Sequence, residues 1–370
     1  MKFAQGKQST IDPARLASGV HDRILANLGA CRVRPARRIC TRRLRWGTLV
    51  QMSGAICHAT RPKASPAGAF RAFRRGGIVV AGLLAVLALF ALPGCSVQRL
   101  ATRASAGLVA DSFAAVNAEE DLELAEGGAA AGLPLLEGVL RGDPDAVDVR
   151  LLAAEAYSGY ALAFVEQDGP ERAAGLYRRA RDHALHAWAV AARRGGVAQP
   201  GDGLWFDLDA LERYLASLDP RFVPAVYWTV QGWGGMVKNR PSDPELLADV
   251  PVLQALARFV LRHDAGYGYA GAHVLLGALS GSLPAILGGA AEARDHFEAA
   301  LSLTGRRFLM THVLYAATYA VQVQDRALFE RLLDEVRGAD LDLLPERRLA
   351  NAVAQQRAGW LARAVDELFQ

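Results

Sequence analysis

From about residue 106 to the C-terminus the chain is a succession of apolar-periodic segments of helical spacing, and nowhere does it alternate as a strand would. That pattern, punctuated at regular intervals, leaves an all-α fold as the only class it fits. Helix starts recur as Asp followed by Pro: Asp143-Pro144, Asp219-Pro220 and Asp243-Pro244-Glu245. An Asp carboxylate can accept from the free N–H groups of the first turn, and Pro has no N–H to leave unpaired there. Pro170 after Gly169 and Pro345 after Leu344 open helices in the same way. Glycine pairs at 127–128, 195–196 and 288–289 are read as separators, and Gly234-Gly235 as an end near Trp233. The predicted helices are 106–117, 129–141, 145–166, 170–193, 204–217 and 222–238, then 245–263, 268–281, 289–303, 307–323, 325–337 and 345–369. The segment 195–205 reads as a surface loop.

Within this series a repeat is visible. Ala293-x3-Phe297-x2-Ala300 fits the second helix of a tetratricopeptide unit, and Leu276-Gly277 supplies part of its first helix. Small residues at 293 and 300 let helices approach closely, while Phe297 fills the gap between units. A second copy is Ala173-x3-Tyr177-x2-Ala180, after Leu152, Ala156 and Tyr160. A degenerate third is Asp325-x3-Phe329-x2-Leu332. The stretch Leu283-Pro284-Ala285-Ile286 lengthens one unit beyond the standard period. The fold expected is therefore one of tetratricopeptide-like stacked helix pairs with cryptic repeats over residues 129–370, preceded by a tether and first helix over 95–128.

Charge divides the chain. Residues 1–75 hold 16 Lys/Arg against Asp12 and Asp22, residues 76–94 hold no charge, and the remainder carries 26 Lys/Arg against 36 Asp/Glu. The whole-chain excess of +4 is thus a property of the leader, and the acidic body excludes nucleic acid as a main partner. Arg71, Arg74 and Arg75, the apolar run Gly76–Ala91 and a small-residue site form a secretory signal over 71–94. The apolar run is shorter than the roughly 20 residues of a spanning helix. Its ending, Leu92-Pro93-Gly94-Cys95, resembles a bacterial lipobox, which implies lipidation of Cys95. An uncleaved anchor helix and an ordinary signal with a chance cysteine are the other readings. Ser96 gives no acidic retention signal, which favours the outer over the inner membrane. Residues 1–70 read as a disordered or mis-assigned basic leader, with an origin near Met52, or else as a genuine basic arm. Cys95 is the only cysteine beyond that leader, which excludes an internal disulfide or thiolate metal cage.

Several segments carry a family resemblance: Leu133-Pro134-Leu135-Leu136-Glu137-Gly138, Val223-Pro224-Ala225-Val226-Tyr227-Trp228 with Gly232-Trp233, and Gly271-Ala272-His273-Val274-Leu275-Leu276-Gly277. Leu287-Gly288-Gly289, His296-Phe297-Glu298-Ala299-Ala300 and Arg348-Leu349-Ala350-Asn351 continue it. Over roughly 130–370 the chain resembles the TatT components of tetratricopeptide-associated TRAP transporters, which are periplasmic lipoproteins. The resemblance implies a homotrimer with a pore through each protomer. It also implies a partner, the extracytoplasmic solute-binding protein of a tripartite ATP-independent periplasmic transporter, and assistance in importing an apolar or organic-acid ligand.

Catalytic patterns are weak. His183 and His186 share a helix face without a carboxylate or cysteine at ligand spacing, so packing or surface roles are expected and no metal or cofactor. Ser280-Gly281-Ser282 lacks the nucleophile elbow and its strand. Tyr227, Trp228, Trp233 and His273 are the candidate ligand-channel residues, with ordinary core packing the competing reading. Tyr267 and Tyr269 shape a loop or form a partner patch. The last helix, with Leu349, Val353, Trp360, Leu361, Val365 and Leu368, is a cap or a trimer contact. A non-enzymatic, lipid-anchored scaffold on the periplasmic side follows, with a stand-alone apolar-ligand carrier and a cell-envelope assembly scaffold as rivals.

Overall fold

A computed structural model describes residues 95–282 and 289–369. The basic leader, the signal segment 71–94 and the insertion at 283–286 lie outside the described residues. So does the side chain of Cys95, whose backbone begins the first helix. Among the described residues every regular element is a helix. In chain order they are α1 (Cys95–Asn117), α2 (Leu122–Gly142), α3 (Val147–Tyr160), α4 (Pro170–Arg194), α5 (Leu208–Ala216), α6 (Val223–Asn239), α7 (Pro244–Ala248) and α8 (Val250–His263). There follow α9 (Tyr267–Gly281), α10 (Ala290–Leu303), α11 (Met310–Tyr315), α12 (Arg326–Arg337), α13 (Arg348–Arg363) and α14 (Val365–Leu368). Two helices run on into π turns, α3 through Ala161–Val165 and α11 through Ala316–Ala320.

The starts are capped as the sequence dictates in most places. The Asp207, Asp243 and Asp325 carboxylates accept from first-turn N–H groups of α5, α7 and α12, and Asp219 does the same for the 3-10 turn Pro220–Phe222 that leads into α6. Four expectations are corrected. Asp143-Pro144 does not open α3; Asp143 closes α2, its N–H donating to the Val139 carbonyl, and Pro144 sits in the intervening turn. Gly127-Gly128 separate nothing. Asp121 starts α2 earlier, accepting from Glu123 N (3.0 Å) and Leu124 N (3.2 Å), and the glycines lie mid-helix, where a Cβ on Gly128 would stand 3.2 Å from Val116 of α1. Gly234-Gly235 likewise lie inside α6. The predicted helix 245–263 is broken at Asp249, because Pro251 lacks the N–H that a continuous helix needs and restarts it as α8.

Sequence neighbours pack on one another: α1 on α2, α2 on α3, α3 on α4, α4 on α6, α6 on α8, α8 on α9, α9 on α10, α11 on α12 and α12 on α13. The last contact closes the series, because α13 also packs on α1 and α2. The core lies in two apolar clusters. The larger gathers α1–α9 around Tyr157, Trp188, Phe222 and Phe259, and the smaller gathers α10–α13 around Phe297, Tyr315 and Phe329. Ala173, Ala180, Ala293, Phe297 and Ala300 are fully buried, Tyr177 and Leu276 nearly so. Gly277 lets α9 lie against α10, since a Cβ there would meet the Phe297 ring at 3.0 Å.

Candidate functional site

The four candidate channel residues do not form one cluster. Trp233 turns away from Tyr227 and Trp228 on α6: its Nε1 donates to Asp249 Oδ2 (2.9 Å), it meets Trp205 edge-on, and Arg181 lies over its ring. His273 on α9 pairs with His296 on α10, Nδ1 to Nδ1 at 2.9 Å. One ring must donate and the other accept, so the pair holds a single proton between the two nitrogens. Burial depresses both imidazoles; the His296 ring adds to this for His273, whereas Glu292 and Asp295 oppose it for His296. Two shallow depressions, one lined by Asp121, Glu123 and Leu124 and one by Glu171, Arg240 and Asp243, touch none of the four.

Tyr227 and Trp228 instead join residues the sequence did not bring together. Their rings meet edge-on at 4.9 Å, and Tyr267 meets Tyr227 at 5.0 Å. The Tyr227 hydroxyl donates to the Gly268 carbonyl (3.2 Å). Gly268, Tyr269 and Ala270 each adopt left-handed φ values, 58°, 59° and 58°, which only glycine takes without cost. The turn is held from outside. Tyr269 stacks on Phe308 at 4.9 Å and 14°, and the Arg347 guanidinium lies 5.1 Å from the centre of its ring. Arg347 Nε donates to the Tyr269 hydroxyl (3.3 Å), and its Nη1 reaches Glu155 Oε1 on α3 at 2.7 Å. Burial raises the Tyr227 and Tyr267 hydroxyls, and the Glu155 charge raises both further. Five separated chain segments thus converge on one ion pair bordered by aromatic rings.

A second convergence lies along the same helix. Glu166, directly after the first π turn, is 5% exposed and accepts from Tyr177 Oη (2.6 Å), Lys238 Nζ (2.8 Å), Arg357 Nη2 (3.0 Å) and Asn239 Nδ2 (3.3 Å). Arg357 also donates to the Leu162 carbonyl within the π turn. Burial alone would raise the Glu166 carboxyl, but Lys238 and Arg357 outweigh it and hold it below its ordinary value of 4.5. Burial pushes its partner Tyr177 well up.

His183, which has no carboxylate at ligand spacing in the sequence, meets one 46 positions away. Its Nε2 lies 3.3 Å from Glu137 Oε1, and its Nδ1 lies 3.0 Å from Arg150. Arg150 can only donate, so Nδ1 accepts and Nε2 carries the proton toward Glu137. Burial lowers the His183 imidazole against the pull of Glu137. Tyr157 donates to the same carboxylate (2.9 Å) and is pushed up to about 12, by burial first and Glu137 second. His186 pairs with Asp145 at 3.1 Å. These contacts tie α2, α3 and α4 together. No three His, Cys, Asp or Glu side chains among the described residues are grouped as metal ligands would be. No described helix is long and apolar enough to cross a membrane. The predicted last helix 345–369 is divided into a 3-10 turn Pro345–Arg347, α13 and α14, and α13 packs inward, with Leu349 and Val353 buried and Trp360 half-buried.

A family model described as TRAP transporter T-component matches residues 118–369, the helical body from just before α2 onward. An uncharacterized protein of Treponema pallidum (strain Nichols) is 23% identical over 301 residues, covering 75% of this chain and 93% of that protein.

Proposed function

The chain belongs to the TRAP transporter T-component family, a family of transport-system components and not of enzymes, and from that membership we propose a lipoprotein scaffold on the periplasmic side of the cell envelope. It docks the extracytoplasmic solute-binding protein of its transporter and relays an apolar or organic-acid ligand. The observation that carries this reading is the extent of the family match, which takes in all but the start of the helical body. The stack is of tetratricopeptide type. Burial of Ala173, Tyr177 and Ala180 on α4 and of Ala293, Phe297 and Ala300 on α10 supports that, as does the seat that Gly277 leaves for Phe297. The signal segment before Cys95 supports a lipid anchor at that thiol and Ser96 favours the outer membrane, while family membership supports a homotrimer as the working unit.

Affinity capture of the full chain from native envelopes, followed by mass spectrometry, tests the docking role. Recovery of a TRAP solute-binding protein is expected. Its absence, with an apolar ligand still carried, would favour a stand-alone carrier instead. Cys95→Ser should move the protein from the membrane fraction to the soluble fraction, and a retained membrane association would overturn the anchor. Light scattering of the purified chain reads the trimer directly.

A further inference from the structure

We propose that Arg347, with the aromatic rings around it, is the receptor for a ligand carboxylate, and that Glu155 is a built-in competitor for that position. The inference rests on the ligand-relay reading above and names the ligand class. Arg347 is fixed three times over: by the face of the Tyr269 ring, by the Tyr269 hydroxyl and by Glu155. Among the described residues Glu155 makes a single hydrogen bond, the 2.7 Å pair with Arg347. Of the two charges, the guanidinium is therefore the one held in place and the carboxylate the one free to leave. Their side chains are 29% and 26% exposed, so solvent reaches both although aromatic rings crowd them.

The pair is part-buried, and exchanging one carboxylate for another keeps the guanidinium paired, so the exchange costs little. An incoming acid would keep the charge-assisted bond to Nη1 and add apolar contact that a glutamate side chain does not make. The surfaces for that contact are the half-buried rings of Trp228, Tyr267 and Phe308. Trp228 and Tyr267 both pack edge-on against Tyr227, whose hydroxyl donates to the left-handed turn at Gly268, and Phe308 stacks on Tyr269 of that turn. Backbone strain maintained by surrounding contacts is a feature of ligand clamps. The opposite choice, a ligand cation replacing Arg347 on Glu155, requires breaking all three of the arginine's contacts.

Titration calorimetry of the full chain with sodium benzoate, benzyl alcohol and tetramethylammonium chloride tests this. Wild type should bind benzoate in preference to benzyl alcohol. Glu155→Gln, which removes the internal competitor, should bind benzoate about three- to fivefold more tightly. Arg347→Gln should abolish benzoate binding while leaving the melting transition cooperative. A merely structural ion pair predicts the same direction of effect from both variants. Equal benzoate affinity in all three proteins, no benzoate binding even in Glu155→Gln, or a wild-type preference for tetramethylammonium over benzoate would each overturn the assignment. Loss of the benzoate response with the solute-binding protein still captured sinks this site alone; failed capture with the response intact sinks the docking role alone.

Discussion

Replacing Glu166 should be among the most damaging single changes to this fold. Its carboxylate, 5% exposed, faces Arg357, whose side chain is 12% exposed and whose Nε has no hydrogen-bond partner among the described residues. Glu166→Ala leaves that guanidinium buried with the Leu162 carbonyl but no counter-charge. Removing one partner of a buried pair costs about 3–5 kcal/mol, because the other charge keeps its desolvation penalty. Lys238 adds little to this figure, since at 49% exposure it can turn to solvent. Urea denaturation followed by circular dichroism reads the loss. The decisive control is Glu166→Ala with Arg357→Met: deleting the stranded charge should restore part of the stability lost, which gives a favourable coupling in a double-mutant cycle. A loss below about 1 kcal/mol for Glu166→Ala would refute the reasoning. So would additive losses in the double variant. The pH dependence has a definite sign. The folded-state carboxyl titrates below 4.5, so its contribution is present above that value and disappears as pH falls through the lower folded value. The difference between wild type and Glu166→Gln should therefore narrow only in that acid range.

Three further outcomes are expected. His273 and His296 are both depressed from the ordinary value of 6.5, so the unfolded chain takes up protons first and stability declines as pH falls below 6.5; His296→Gln should flatten the melting temperature between about pH 6.5 and 5. Gly232→Ala should lower stability by about 1–3 kcal/mol, since its Cβ would stand 2.5 Å from the Arg181 backbone nitrogen of α4, while Gly234→Ala should cost less because only the Leu275 side-chain tip is in the way. Ala270→Gly, at φ 58°, should be neutral or stabilising by up to about 1 kcal/mol, as read by the same urea melts; a marked loss would mean the turn is not strained.

Helices α4, α6, α10 and α12 were legible in the sequence to within a residue or so, because what starts and stops them is local: Pro170, the Asp219 cap, Gly289 and the Asp325 cap. Glycine misled wherever it serves close packing rather than chain reversal, as at Gly128 and Gly235. The ion pairs that bring distant segments together were not legible. Glu155 and Arg347 stand 192 positions apart, and Glu166 and Arg357 stand 191 apart, so no spacing rule could join them. The left-handed turn announced itself only through Gly268; Tyr269 and Ala270 argue against it, and tertiary contacts decide. Tyr227 and Trp228 stood out as an aromatic run on one helix, and Tyr267 and Tyr269 as the flanks of Gly268, but their meeting with Phe308 and Arg347 depends on how the end of the chain returns to α3.

That return has a consequence for length. Arg347 and Arg357 are ten positions apart, and the acids they meet, Glu155 and Glu166, are eleven apart in the same direction. The π turn at Ala161–Val165 takes up the odd residue, so both strands of this ladder span about 15 Å. Excising one alanine from that turn should leave a regular helix with Glu166 still beside its arginine, whereas inserting one more residue would swing Glu166 about 100° around the axis while Glu155 stayed put. The local irregularity works as a vernier, and a further insertion should be tolerated far less between those two acids than in the connections on either side.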